Sequence, residues 1–194
     1  PPSWVECVRA SNLIGWRYRT FVESAQTVLT SPRTLEDIFQ HEQTLFLAMC
    51  SAASCVEAAG YATYALASDS TVLDVPFGGK EQRYCSPKML HEMLSVEQVD
   101  GLIVEPWHHL LEADEWTLVT ELRNRMIHRS NVPQIVTAST APPSPQPDTV
   151  EYAATSSTRA FRIDEIKALE PWLASTVTAL IDSAIELLNR YSGQ

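Results

Sequence analysis

Glycine is scarce, 6 in 194 residues, so collagen-like and glycine-rich linker architectures are excluded. Basic residues are also few. Lys and Arg number 14 against 24 Asp and Glu, a formal charge of −10. A chain that coats nucleic acid or an anionic membrane is normally basic, so unspecific phosphate binding is excluded as the main role. Any chemistry on nucleic acid must come from a small local site. No continuous apolar run of about 18 residues occurs, and no transmembrane helix is expected. Residues Pro1 to Glu6 carry no basic cluster and no long apolar stretch, so no signal peptide is read there. The chain starts without Met, which leaves a trimmed leader open.

Cysteine is sparse and spread out. Cys7, Cys50, Cys55 and Cys85 form no CxxC pair, which argues against a zinc ribbon or a small disulfide frame. Free, buried thiols in a reducing, cytoplasmic compartment are the expectation. Two familiar motifs are missing as well. Gly78-Gly79-Lys80 lacks the spacing of a phosphate-binding loop, and His91-Glu92 lacks the second histidine of a zinc protease, because position 95 is Ser95. No cofactor or metal site is indicated.

What remains is an ordinary globular composition, 45% apolar and 20% charged, in a chain long enough for one domain over residues 1–194. The pattern is helical almost throughout. A first helix is expected from about Ser3 to Thr30, with Val8, Leu13, Trp16, Phe21, Val28 and Leu29 as its apolar positions. Ser31-Pro32 ends it. A long helix from about Thr34 to Ser68 is rich in Ala, Ser and Gly, which let neighbours approach closely, so it reads as the centre of a bundle.

Residues 69–87 read as a loop, followed by a short helix from Lys88 to about Ser95. Glu105-Pro106 then introduces a helix from about Trp107 to His128 or Arg129. Pro142, Pro143, Pro145 and Pro147 stiffen an exposed loop. Residues Gln134 to Thr137 and Thr158 to Ile163 on either side are β-prone and could pair as a hairpin. The last helix runs from about Asp164 to Tyr191, with Pro171 kinking it or starting a fresh turn. The expected fold is all-α, an up-and-down bundle of four or five main helices, with a Pro-rich loop or short hairpin before the last.

The densest chemical signal is Leu122-Arg123-Asn124-Arg125-Met126-Ile127-His128-Arg129. At about 100° per residue, Leu111, Leu118, Val119, Leu122 and Met126 form one stripe toward the core. Asn124 and His128 share a face nearly opposite it, and Arg123 lies roughly 140° round from His128. Trp116 and Ile127 make a second apolar edge, which suits burial against a second subunit. A plain helix end fits the same residues: cations favour a helix C-terminus, and Glu121 can pair with Arg125 at i,i+4.

The Arg-Asn-x-x-x-His segment, Arg123 to His128, resembles the RX4-6H signature of the HEPN superfamily. The small-residue helix before it and the apolar helix after it also fit. The tight match spans only that one short segment. The resemblance implies a metal-independent endoribonuclease, acting as a homodimer without cofactor, of the sort found in toxin or defence systems. In that reading Arg123, Asn124 and His128 are catalytic, and Arg125 and Arg129 bind substrate RNA. Attack is by the RNA 2′-OH, with His128 exchanging protons and Arg123 holding the phosphate. Many members of that superfamily are inactive, so a helical interaction module, partnered by an antitoxin or regulator, is the alternative. A bundle unrelated to HEPN is a third reading.

Other groups carry less. His108, His109 and Glu112 could meet at a helix start, as metal ligands or as a solvated turn. His41-Glu42 reads as a surface pair. Glu57, near Ser54 and Cys55, is expected to act as an arginine-paired structural carboxylate. The tryptophans Trp4, Trp16, Trp107, Trp116 and Trp172 read as core or interface anchors, without the basic–aromatic alternation that stacks bases.

Overall fold

Two long antiparallel helices form the spine of the fold. The structure is a computed structural model that describes residues 2–31, 38–70, 73–128, 134–137, 149–152, 161–162 and 165–191. Helix α1 (Pro2–Thr30) turns Cys7, Ala10, Ile14, Phe21, Ala25 and Val28 inward. That three-to-four spacing is an amphipathic stripe. Small residues complete it, and they count for little in a reading by large apolar side chains. Val8 and Trp16, expected on the stripe, face outward instead.

Helix α2 (Ile38–Asp69) runs back along α1. The Ser3 hydroxyl donates to Asp69 Oδ1 at 3.0 Å, and Cys55 Sγ donates to the Ile14 carbonyl at 3.4 Å. Between Leu45 and Ala67 nearly every side of α2 is buried, which makes it the central helix that its small residues predict. The expected start near Thr34 lies outside the described residues. By length and composition α2 could cross a membrane, contrary to expectation, because scattered polar residues interrupt its apolar runs without lowering the average. In this fold 67% of the qualifying stretch is buried, as befits a core helix. His41, expected on the surface, is also buried.

The stretch expected as a loop contains a short helix, α3 (Gly79–Arg83), launched by Gly78 at φ 107° and Gly79 at φ 70°. Such backbone suits glycine, which lacks the Cβ that would clash. Helix α4 (Pro87–Val96) is capped by Ser86, whose hydroxyl accepts from Met89 N, with Pro87 at its first position.

The expected single helix from Trp107 onward is two. Helix α5 (Gly101–Glu112) begins earlier, capped by the Asp100 carboxylate accepting from Leu102 N at 2.9 Å. It continues through Pro106. An interior proline costs about 3 kcal/mol; burial of Ile103, Trp107 and Leu110 along one stripe offsets that. The chain is extended at Ala113, and helix α6 (Asp114–His128) starts with two acidic residues at its positive end. Neither Gly nor Pro marks this break, so periodicity carried the pattern across it.

Next come three short strands, β1 (Gln134–Thr137), β2 (Thr149–Tyr152) and β3 (Phe161–Arg162). They pair in chain order as an antiparallel sheet, with Gln134 opposite Tyr152 and Glu151 opposite Arg162. The hairpin expected between 134–137 and 158–163 is therefore corrected. A nearer strand just after the proline run intervenes, closing a shorter loop at lower entropic cost. The prolines themselves lie outside the described residues.

Helix α7 (Ile166–Tyr191) passes through Pro171 and buries Leu169, Leu173, Val177, Leu180 and Leu187. It lies alongside α2, and Ser70 Oγ donates to the Tyr191 carbonyl at 3.2 Å. Seven helices thus occur among the described residues, in a body that is helical apart from the small sheet.

Trp107 ties three of them together. Its ring is fully buried and lies over Gly60 of α2, where an added Cβ would sit 3.6 Å from it. Its Nε1–H donates to Ser183 Oγ of α7 at 3.2 Å, and that hydroxyl donates onward to the Ile103 carbonyl at 2.8 Å. Ser183→Ala strands a buried donor and an acceptor, and should cost about 1–3 kcal/mol in urea denaturation. Gly60→Ala has room for its methyl and removes a mid-helix glycine. It should be neutral or raise stability by about 0.5–1 kcal/mol, whereas Gly60→Leu should lower the melting temperature.

Candidate functional site

The motif occupies the last two turns of α6. Val119 and Leu122 are buried, with Leu118, Trp116 and Met126 partly buried against the core. This is the expected stripe without Leu111, which belongs to α5. Asn124 and Ile127 are exposed. His128 closes the helix; its side chain, like all of Arg129, lies outside the described residues.

Arg123 flanks the stripe and reaches α2. Its Nη1 donates to Glu57 Oε1 at 2.6 Å, so Glu57 is the arginine-paired carboxylate that the sequence predicts. Arg125 does not join that pair. Its Nη2 lies 3.4 Å from Glu121 Oε2 on the same helix. The structure thus brings Arg123 to α2 and leaves Asn124 on the outer face.

One residue of this region is not foreshadowed. Arg17 of α1 lines a pocket with Glu57 of α2, and the half-buried Cys50 thiol feels the charges of Arg123, Glu57 and Arg17. Burial raises the pKa of this thiol most strongly; both arginines pull it down and Glu57 pushes it up. The Nε atoms of Arg17 and Arg123 are both buried with no hydrogen-bond partner among the described residues. Arg17 otherwise lies over the Trp16 ring, its guanidinium carbon 4.7 Å from the ring centre. Beside this group an open pocket of about 380 Å³ separates α1 from α2, lined by Glu6, Arg9, Arg17, Ser54, Glu57 and Tyr61 among others. No local signal in α1 marks Arg17, because the charged group nearest it across the pocket, Glu57, is 40 residues away in the chain.

The remaining candidates separate from this site. His108 stacks on His91 with ring centres 5.7 Å apart and approaches Glu112 at 3.4 Å. Among the described residues no group of three His, Cys, Asp or Glu could hold a metal ion. Trp107 is core, Trp116 and Trp172 pack partly against it, and Trp4 and Trp16 are exposed. The four thiols are free. Burial pushes Cys55 up to about 12 and Cys85 up to about 11, so neither supplies a thiolate near neutral pH.

No family model, no curated protein and no solved structure matches the chain.

The buried thiol gives a pH signature. The Cys55 pKa lies above its ordinary 9.0 in the fold, so the unfolded chain ionises first as pH rises. Stability should be insensitive to this group below pH 9 and decline from there to about 12. Chemical denaturation across that range should show a shallower decline for Cys55→Ala than for the wild type. In native protein at pH 8, Cys55 should also resist alkylation.

Proposed function

We propose that the chain is a metal-independent endoribonuclease of HEPN type, working as a two-fold dimer. Arg123, on the final turns of α6, is held by Glu57, which also lines an opening with Arg9 and Arg17, and this arrangement supports the reading. The RNA 2′-OH attacks the adjacent phosphorus, the 5′-oxygen leaves, and a 2′,3′-cyclic phosphate forms. His128 is the motif's proton-exchanging group near neutral pH. Arg123 stabilises the phosphorane charge. Glu57 engages Nη1 of Arg123 and so orients the guanidinium, leaving its Nη2 edge to a phosphate oxygen. Asn124 orients the imidazole or the phosphate, and Arg125 and Arg129 steer RNA past an acidic body. Two copies related by two-fold symmetry would supply two histidines to one cleft, which suits acid–base catalysis. A cytoplasmic toxin or defence component, held by an antitoxin or regulatory partner, fits this chemistry.

A second reading, the catalytically silent interaction module, is favoured by a different surface. An apolar groove of about 170 Å³ runs between α1 and α7, with Ala59 and Ala62 of α2 as its floor. Trp4, Ile181 and Ile185 on its walls are exposed. Exposed apolar surface of this kind is used for association.

Single-stranded RNA incubated in EDTA should yield fragments ending in 2′,3′-cyclic phosphate. His128→Ala, matched for folding by circular dichroism, should slow cleavage by about 10²–10⁴-fold. Equal rates for the two proteins, or cleavage that appears only on adding a divalent cation, would remove the catalytic assignment.

A further inference from the structure

The pocket between α1 and α2 holds two ion pairs and one surplus cation. Arg9 Nη1 lies 2.9 Å from Glu6 Oε1, and Arg123 Nη1 lies 2.6 Å from Glu57 Oε1, so both lining carboxylates are already matched. Arg17 lines the same pocket and has no carboxylate partner among the described residues. Its Nε is out of water and has no hydrogen-bond partner among the described residues. That atom is closed to the pocket, so an anion there is met by the guanidinium charge and its Nη donors.

One aromatic ring lies against the cation and another lines the pocket. Trp16 lies beneath the Arg17 guanidinium and is 59% exposed. Tyr61 lines the pocket, its ring steadied because its hydroxyl accepts from Gln82 Nε2 at 2.7 Å. A cation that binds phosphate beside rings that can stack on bases is the usual combination for single-stranded nucleic acid.

Given the ribonuclease reading above, we infer that this pocket binds a phosphodiester of the RNA strand next to the one held at Arg123, with Arg17 as its cation and Trp16 and Tyr61 as stacking surfaces for the flanking bases. Glu57 joins the two positions, because it lines the pocket and holds Arg123. The anion-binding strip therefore runs from α6 across α2 to α1. Arg17 here is a substrate-binding residue rather than a proton donor.

The test is equilibrium binding by fluorescence anisotropy, using the full chain and a labelled 2′-O-methyl RNA 12-mer that lacks the attacking hydroxyl. Arg17→Gln should weaken binding about tenfold and reduce the slope of log K against log salt by about one. Arg17→Lys should recover part of the loss. Ser54→Glu, which adds an anion to the pocket wall, should weaken binding similarly. Unchanged affinity and salt slope in both Arg17→Gln and Ser54→Glu would overturn the site, as would failure of the wild type to bind. Displacement of the RNA by polyglutamate at matched charge concentration would reassign the pocket to an acidic peptide. The two ideas fail separately. Binding that depends on Arg17, with cleavage absent or indifferent to His128, sinks the nuclease and leaves the RNA site standing. Cleavage that depends on His128, with binding indifferent to Arg17 and to Ser54→Glu, sinks only the pocket.

Discussion

A long helix buried on nearly all sides must be covered by other helices, and that requirement organises this protein. The α2 positions between Leu45 and Ala67 are mostly Ala, Ser, Gly and a few larger apolar residues. They allow α1, α5, α6 and α7 to come near. Within that span Glu57 is the only formally charged side chain. A carboxylate so placed needs a partner or it weakens the helix around it. Arg123 provides one from α6. The pair is partly exposed, so its net contribution to stability is modest and sensitive to salt. The buried stripe of Val119 and Leu122 turns α6 toward the core, and the pair ties Arg123 beside that stripe to α2.

The same requirement accounts for the Trp107 junction. An indole can lie against α2 because position 60 carries no side chain, and its polar edge is satisfied by Ser183. The serine in turn bonds the backbone of α5. One buried hydroxyl thus completes the hydrogen bonding of both α5 and α7. That cost of burying polar atoms is met without a charge.

The electrostatics of the molecule are uneven. The body is acidic, with 24 carboxylates against 14 basic side chains. Around Cys50, however, two guanidinium groups meet one carboxylate. Pairing within the pocket leaves Arg17 as the excess. Phosphate recognition in an acidic protein requires this kind of local surplus, because long-range attraction works against it. The thiols on α2 take no part in such chemistry. Burial keeps Cys55 protonated, and it acts as a small apolar residue with a weak donor to Ile14.

Periodicity and composition alone were sufficient for the helical character, the ends of α1 and α7, the central role of α2 and the insertion before the last helix, since these depend on local pattern and side-chain size. Glu57 as an arginine partner was also legible, because a lone carboxylate among small residues asks for a cation. Three features required the folded chain. The break at Ala113 carries no Gly or Pro, and α5 runs through Pro106 because burial of Trp107 outweighs a local penalty. Strand β2 takes the partner that the sequence pattern assigned to a later segment, since pairing depends on loop closure rather than strand propensity. Arg17 shares a pocket with Glu57 only through the antiparallel return of α2 along α1. Residues distant in the chain share a charge environment when packing brings them together, and no local pattern records that meeting.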